Sequence, residues 1–275
     1  MTTILTERQK REEEFYNQYC NRAPEKIDFT PVDSYLAGQE KRPWNSYWFV
    51  YQLLVDYYQE MINQGPLKLL DFGCGPGGNA LRCGRIGYEV EGFDISRSNI
   101  KLAEESAQQY KMEDKVHFQV GPAEKLNYPD HFFDVIVGID ILHHVDIPQA
   151  IRECHRILKK QGIAIFREPL EAPLFDNIRH HPFVTKLFPT SASLERHVTA
   201  DERKLSKEDL STIENIFPKL KLEKSFYLSR LDRWIYPLNY PKSSLTEKLD
   251  FAIIRHLPFI SHLAGAGVII LKKGP

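Results

Sequence analysis

Net charge is what this chain most lacks. Lys and Arg number 36 against 37 Asp and Glu, a balance of −1 over 275 residues. Such a balance gives no global field toward nucleic acid or an anionic membrane. Metal-type cysteine spacing is missing too: Cys20, Cys74, Cys83 and Cys154 form no C-x-x-C pair. Free thiols in a reducing cytosol are the simplest expectation. A long uninterrupted apolar run is also missing. The most apolar stretch, Phe251 to Leu271, contains Arg255, His256, Pro258 and His262 and makes a poor membrane span. The N-terminal MTTILTERQKREEEF is polar and lacks a secretory core. There are no internal repeats or low-complexity tracts. These absences describe a soluble cytoplasmic protein, long enough for one large core with an appended lid.

What is present begins with aromatic residues. Residues 7–20 read as a charged helix with Phe15, Tyr16 and Tyr19 on one face. Pro24, Pro31 and Pro43 are expected to hold the next stretch in loop. A second helix, near 44–63, carries Trp44, Tyr47, Trp48, Phe49, Tyr51, Tyr57 and Tyr58. Aromatics of this density usually fill core, so both helices read as a cap. From residue 67 the pattern alternates strand and helix, which predicts a parallel sheet covered on both faces. Strands are expected at 67–72, 88–93, 116–120, 133–138 and 162–167, and helices near 77–85, 97–111 and 147–159. Ser96 is positioned to cap the second of these helices. After Pro169 the alternation lapses, and residues 170–205, rich in Pro, His and Arg, read as an insertion over the strand ends. A helix at 207–217 capped by Ser206, a strand at 221–229, an excursion over 232–262 and a last strand at 266–272 complete the chain.

The densest chemical signal is Leu69-Leu70-Asp71-Phe72-Gly73-Cys74-Gly75-Pro76-Gly77-Gly78-Asn79. A strand runs into a glycine turn and then a helix, which brings backbone amides and a helix N-terminus close to a ligand. Gly73, Gly75 and Gly78 satisfy the dinucleotide pattern G-x-G-x-x-G, a weak signal taken alone. Asp71 discriminates, because a carboxylate just before the turn repels a pyrophosphate but suits a ligand bearing ammonium and sulfonium charges. Asp94, closing the second strand, suits the ribose of either ligand class.

Further ordered segments follow. Gly121-Pro122-Ala123-Glu124-Lys125-Leu126 comes after the third strand. Phe133-Asp134-Val135-Ile136-Val137 leads into Gly138-Ile139-Asp140-Ile141-Leu142-His143-His144-Val145, and a helix then ends in Arg156-Ile157-Leu158-Lys159-Lys160-Gln161-Gly162. With these the chain resembles the class I S-adenosylmethionine-dependent methyltransferases, most closely the small-molecule branch containing ubiquinone and menaquinone biosynthesis enzymes. The resemblance is dense over 66–170. It implies an α/β, Rossmann-like, doubly wound sheet of seven strands with the last antiparallel. One methyltransferase domain would span 1–275: an N-terminal helical cap (1–65), a cofactor-binding core (66–169), a lid insertion (170–205) and closing elements (206–275).

The resemblance also implies roles, with S-adenosyl-L-methionine as cofactor. Asp71, Gly73, Gly75 and Gly77 would surround the methionine moiety, with Asp71 near its ammonium. Asp94 would hold the ribose, Ile95 would pack on adenine, Ala123 would offer its amide to an adenine nitrogen, and Ile139 would lie beside the methionine chain. One departure stands out. The residue before Ala123 is usually Asp or Asn, accepting from the adenine amino group, and here it is Pro122. Adenine recognition then rests on Ala123 and Glu124.

Methyl transfer needs a base only when the acceptor holds its proton near neutral pH. His143, His144 and Glu168 follow strands at the ligand face and are the catalytic candidates. Each has an alternative reading, as a loop anchor rather than a catalyst. No third metal ligand accompanies the two histidines, so no metal is expected. Arg42, His180, His181 and the run 195–202 are further polar candidates near the site, with solvated loop chemistry as their alternative. The expected reaction moves a methyl group onto an oxygen of a small apolar or aromatic molecule. The partner is that acceptor rather than nucleic acid, and the protein is a monomer or homodimer. A tRNA or protein methyltransferase, an NAD-dependent oxidoreductase and a catalytically silent cofactor-binding protein are the rival readings.

Overall fold

The computed structural model describes residues 5–19, 26–39, 45–171, 203–225, 244–257 and 264–274. Three helices lead the chain: α1 (Glu7–Tyr19), α2 (Thr30–Leu36) and α3 (Ser46–Met61). The alternating region then gives β1 (Lys68–Phe72), α4 (Gly78–Ile86), β2 (Glu89–Asp94), α5 (Arg97–Gln109), β3 (Val116–Val120), β4 (Phe133–Ile139), α6 (Ile147–Ile157) and β5 (Leu158–Pro169). The closing elements are α7 (Lys207–Ile216), β6 (Lys219–Ser225), α8 (Leu245–His256) and β7 (Ala266–Lys272).

The seven strands form one sheet in the order β3-β2-β1-β4-β5-β7-β6. All neighbours are parallel except β7, which runs antiparallel to both β5 and β6. The chain therefore steps outward from β1 to β3, then returns to the other side of β1 with β4. Such a reversal opens a crevice beyond the carboxyl ends of β1 and β4. Both sheet faces are buried, and the strand period of two divides the core accordingly. Leu69, Val135, Val137, Ile165 and Val268 pack with α3 and α4 on one face. Leu70, Ile136, Phe166, Ile269 and Leu271 pack with α6 and α7 on the other. α6 shows the helical counterpart, burying Ile147, Ala150, Ile151, Cys154 and Ile157 on one stripe, with Asp146 capping its N-terminus.

Three expectations change. Pro31 opens a helix instead of breaking one: it sits in the first turn of α2, where its missing N–H costs nothing. β5 starts four residues before the expected 162, because a register shift between Phe133 and Val135 lets Leu158 pair with Phe133 ahead of the main ladder. The excursion contains α8, capped by a reciprocal Ser244–Glu247 box. Cys74, Cys83 and Cys154 are free and buried. Among the described residues no helix is long and apolar enough to cross a membrane. Arg42, Cys20, His180, His181, residues 195–202 and the last four residues of the expected strand 221–229 lie outside the described residues.

Candidate active site

The glycine turn begins at the carboxyl end of β1. Gly73 has φ +74, and a Cβ there would lie 2.6 Å from the Ile141 side chain. Only glycine meets both conditions without strain. Gly75 has φ +51 but faces open space, with nothing within 4 Å of where a Cβ would stand. It borders a cavity of about 220 Å³. Gly77 caps α4 in the left-handed conformation and packs against Ala103, away from that cavity. Cys74 N–H donates to Phe93 C=O at 2.8 Å, and Gly75 N–H donates to Asp94 Oδ2 at 3.0 Å. These two bonds fix the turn against β2.

Asp71 lies one pleat below the turn and is fully buried. Neither carboxylate oxygen has a hydrogen-bond partner among the described residues. Burial pushes its carboxyl up to about 7, against the opposing influence of the Ala80 amide at the start of α4 and with Asp94 adding repulsion. A buried charge without a partner is costly, so the site favours an arriving cation. Asp94 itself forms part of the cavity wall. Its Oδ1 accepts from Ser96 N–H and Asn99 Nδ2 at 2.8 and 3.1 Å. Burial raises its carboxyl as well, with the Ser96 amide the largest opposing influence. Three of its roughly four acceptor positions are used, leaving one for a ligand hydroxyl.

Helix α1 closes the cavity from above. Gln9, Glu12 and Tyr16 line it, opposite Ile95, Ala123, Glu124, Asp140 and His144. Polar contacts at both ends pin this helix. Asn17 Oδ1 accepts from Ser96 Oγ at 2.8 Å and from Ser98 N–H at 3.2 Å. Glu124 receives Arg8 Nη2 and Asp146 N–H on Oε1, and Gln9 Nε2 at 2.7 Å on Oε2. His144 is held between two α1 side chains, with Tyr16 Oη 3.1 Å from Nε2 and Glu12 Oε2 3.3 Å from Nδ1.

His143 and Glu168 form a second layer behind this wall. Glu168 is fully buried; its Oε1 accepts from the Ile141 and Leu142 amides at 2.9 and 2.8 Å. Its Oε2 lies 2.7 Å from His143 Nδ1. The His143 and His144 rings are 4.1 Å apart. Asp140, at φ +55, donates its N–H to Arg167 C=O and pairs its carboxylate with the Arg167 guanidinium. Strained backbone of this kind collects at functional sites.

Of the residues expected from sequence, Gly73, Gly75, Asp94, Ile95, Ala123, Glu124 and His144 line the cavity. Asp71, Gly77, Ile139, His143 and Glu168 stand behind that lining. Ile139 ends β4 opposite Arg167 and packs into the core on the α3 face. Sequence reasoning missed Gln9, Glu12 and Tyr16, whose only local signal was the aromatic face of a charged helix, and Asn99 and Asp140. Among the described residues no group of three or more His, Cys, Asp or Glu could hold a metal ion.

The comparisons agree with this architecture. Residues 70–166 match a family model described as "Methyltransferase domain". An uncharacterized methyltransferase, YcgJ of Bacillus subtilis, is 34% identical over 117 residues, covering 42% of this chain and 46% of that protein. A ubiquinone biosynthesis O-methyltransferase of Pelagibacter ubique is 40% identical over 98 residues, covering 35% of this chain and 40% of that protein. The chain thus spans less than half the length of these two relatives. Among solved structures, geranyl diphosphate C-methyltransferase from Streptomyces coelicolor, crystallised with S-adenosyl-L-homocysteine, superposes with a TM-score of 0.58 at 16% identity, covering 98% of this chain and 100% of that one. That likeness is one of fold.

Proposed function

We propose, from a chain whose residues 70–166 match a methyltransferase domain, that this protein transfers the methyl group of S-adenosyl-L-methionine to an oxygen of a small molecule. The observation that carries the reading is Asp71: a fully buried carboxylate that pairs with no cation and has no close hydrogen bond among the described residues, beside a glycine turn that opens on a cavity. This is a receptacle for an ammonium group, and a pyrophosphate would be repelled from it. The small-molecule acceptor and the oxygen are supported by the ubiquinone O-methyltransferase relative. The whole chain, with 1–65 as cap and 170–205 as lid, acts as one unit, a cytoplasmic monomer or homodimer.

When bound, S-adenosylmethionine supplies a methyl group already activated by a sulfonium. Asp71 holds the ammonium, Gly73 and Gly75 let the backbone approach, Asp94 accepts from the ribose, and Ile95 and Ala123 flank the base. Positioning and exclusion of water by α1 then supply most of the acceleration. His144 takes the acceptor's proton as its oxygen attacks. Of the three catalytic candidates it alone lines the cavity, with the Glu12 carboxylate 3.3 Å from Nδ1 and the Tyr16 hydroxyl 3.1 Å from Nε2. His143 and Glu168 act behind it, fixing the loop from Ile141 to His144.

Calorimetry with S-adenosylmethionine, S-adenosylhomocysteine and NAD tests the donor. Binding of the first two is expected, and binding of NAD alone sinks the assignment. For the base, His144→Ala is expected to lower kcat on a hydroxyl acceptor by about a hundredfold near neutral pH. An unchanged rate would leave proximity as the whole mechanism.

A further inference from the structure

Pro122 offers no side-chain acceptor to an adenine amino group, whereas Glu124, two residues on, carries one that α1 holds in place. Glu124 lines the cavity beside Ala123, only two residues from the lost acceptor. Its two oxygens are used unequally. Oε1 is saturated by Arg8 and the Asp146 amide, whereas Oε2 receives only Gln9 Nε2 at 2.7 Å. A carboxylate oxygen accepts about two hydrogen bonds, so Oε2 retains one. Its side chain is 8% exposed, and the α1 contacts lock its rotamer.

We propose that Glu124 Oε2 reads the adenine amino group of the cofactor, with Arg8 and Gln9 of α1 as its positioning residues. The proposal rests on the S-adenosylmethionine reading above and deepens it. Two consequences follow. The cap helix becomes part of the cofactor site, since the carboxylate that selects the base is aimed by residues more than 100 positions away in sequence. Closure of α1 and acceptance of an adenine-bearing ligand become one event. A ligand without the amino group would leave the Glu124 carboxylate short of a donor in a buried site, which is costly.

The test compares S-adenosylhomocysteine with its analogue in which hydrogen replaces the adenine amino group, leaving the ring nitrogen that faces Ala123 unchanged. Wild-type protein is expected to bind the parent about tenfold more tightly or better, the effect of one hydrogen bond to a charged acceptor. Glu124→Ala should bring that ratio close to one. Arg8→Met and Gln9→Met, which leave the carboxylate in place, should lower it part of the way. A purely structural role for the three residues would weaken both ligands alike and leave the ratio untouched. If wild-type protein fails to discriminate, or if the ratio survives in the Arg8 and Gln9 variants, the proposal is overturned. Those two readings need no Glu124 variant, so a folding failure there does not rescue it. Failure of S-adenosylhomocysteine itself to bind would instead remove the cofactor reading.

Discussion

A carboxylate buried without a counter-charge costs stability whenever it is charged, and among the described residues Asp71 is such a group. In the unfolded chain its value is 3.8; in the folded chain it is about 7. Between these values the folded chain holds a proton that the unfolded chain has released, so stability falls as pH rises through this window. The loss above pH 7 amounts to about 4 kcal/mol at most. Asp71→Asn is therefore expected to flatten the decline in urea-unfolding free energy between pH 5 and 8. Parallel curves for the two proteins would show that Asp71 is not the source. A bound ammonium favours the charged form, so affinity for S-adenosylhomocysteine should rise by up to about tenfold per unit from pH 5.5 to 7 and then level off. The glycines allow a second contrast. Gly73→Ala drives a Cβ into Ile141 at an unfavourable φ and should cost about 1–3 kcal/mol of stability. Gly75→Ala meets no protein atom, so it should cost about 1 kcal/mol yet lose most cofactor affinity, because its methyl group occupies ligand space. Equal stability losses with unchanged affinity in Gly75→Ala would contradict the site. At this scale the placing of Gly73, Gly75 and Asp94 on the cavity was legible because they lie on one continuous strand–turn–helix–strand path, whereas Asp71 and Gly77 on that same path fall behind the lining. Glu12, Tyr16 and Gln9 were not legible, because their partners lie at Glu124 and His144, across the fold.

Among elements, legibility followed local chemistry. β3 and β7 fall at the expected 116–120 and 266–272, β3 alternating Val116, Phe118 and Val120 with polar residues and β7 ending its apolar run at Lys272 and Lys273. α5 and α7 start where Ser96 and Ser206 cap them. α2 was hidden because proline reads as a breaker until its place in the first turn is known, and the early start of β5 depends on pairing with β4 that the local sequence does not reveal. The role of α1 was the least legible. Among the described residues none of its side chains enters either core cluster, whereas α3 buries Val50, Tyr51, Leu54 and Val55. α1 is held chiefly by polar contacts to Glu124, His144, Ser96 and Ser98. An element with little apolar burial opens at low free energy. Its amides should exchange with deuterium well ahead of those of α3 in unliganded protein, and saturating S-adenosylhomocysteine should slow α1 selectively. Equal protection of α1 and α3 without ligand would show the cap to be part of the folding core.

Across the whole molecule, the sheet separates two apolar cores and presents the site beyond the carboxyl ends of its strands, so stability and ligand binding draw on different residues. Phe166 tests that separation. It is fully buried in β5, 5.7 Å edge-to-face from Phe72, and fills the space over Gly138 on the α6 face. It does not line the cavity. Phe166→Ala should lower the unfolding free energy by about 3–5 kcal/mol, the transfer loss plus the void left in a packed core. If core and site are separable, the dissociation constant for S-adenosylhomocysteine should stay within about threefold of wild type, a difference of less than half of the 1.4 kcal/mol that marks a tenfold change. Ligand at 100 times that constant should then return about 2.7 kcal/mol of stability to both proteins. Measured together by urea unfolding with and without ligand, the two proteins should give parallel ligand increments from different baselines. An increment that vanishes in Phe166→Ala would mean that the glycine turn is shaped by the packing beneath it, so that core and site are one cooperative unit.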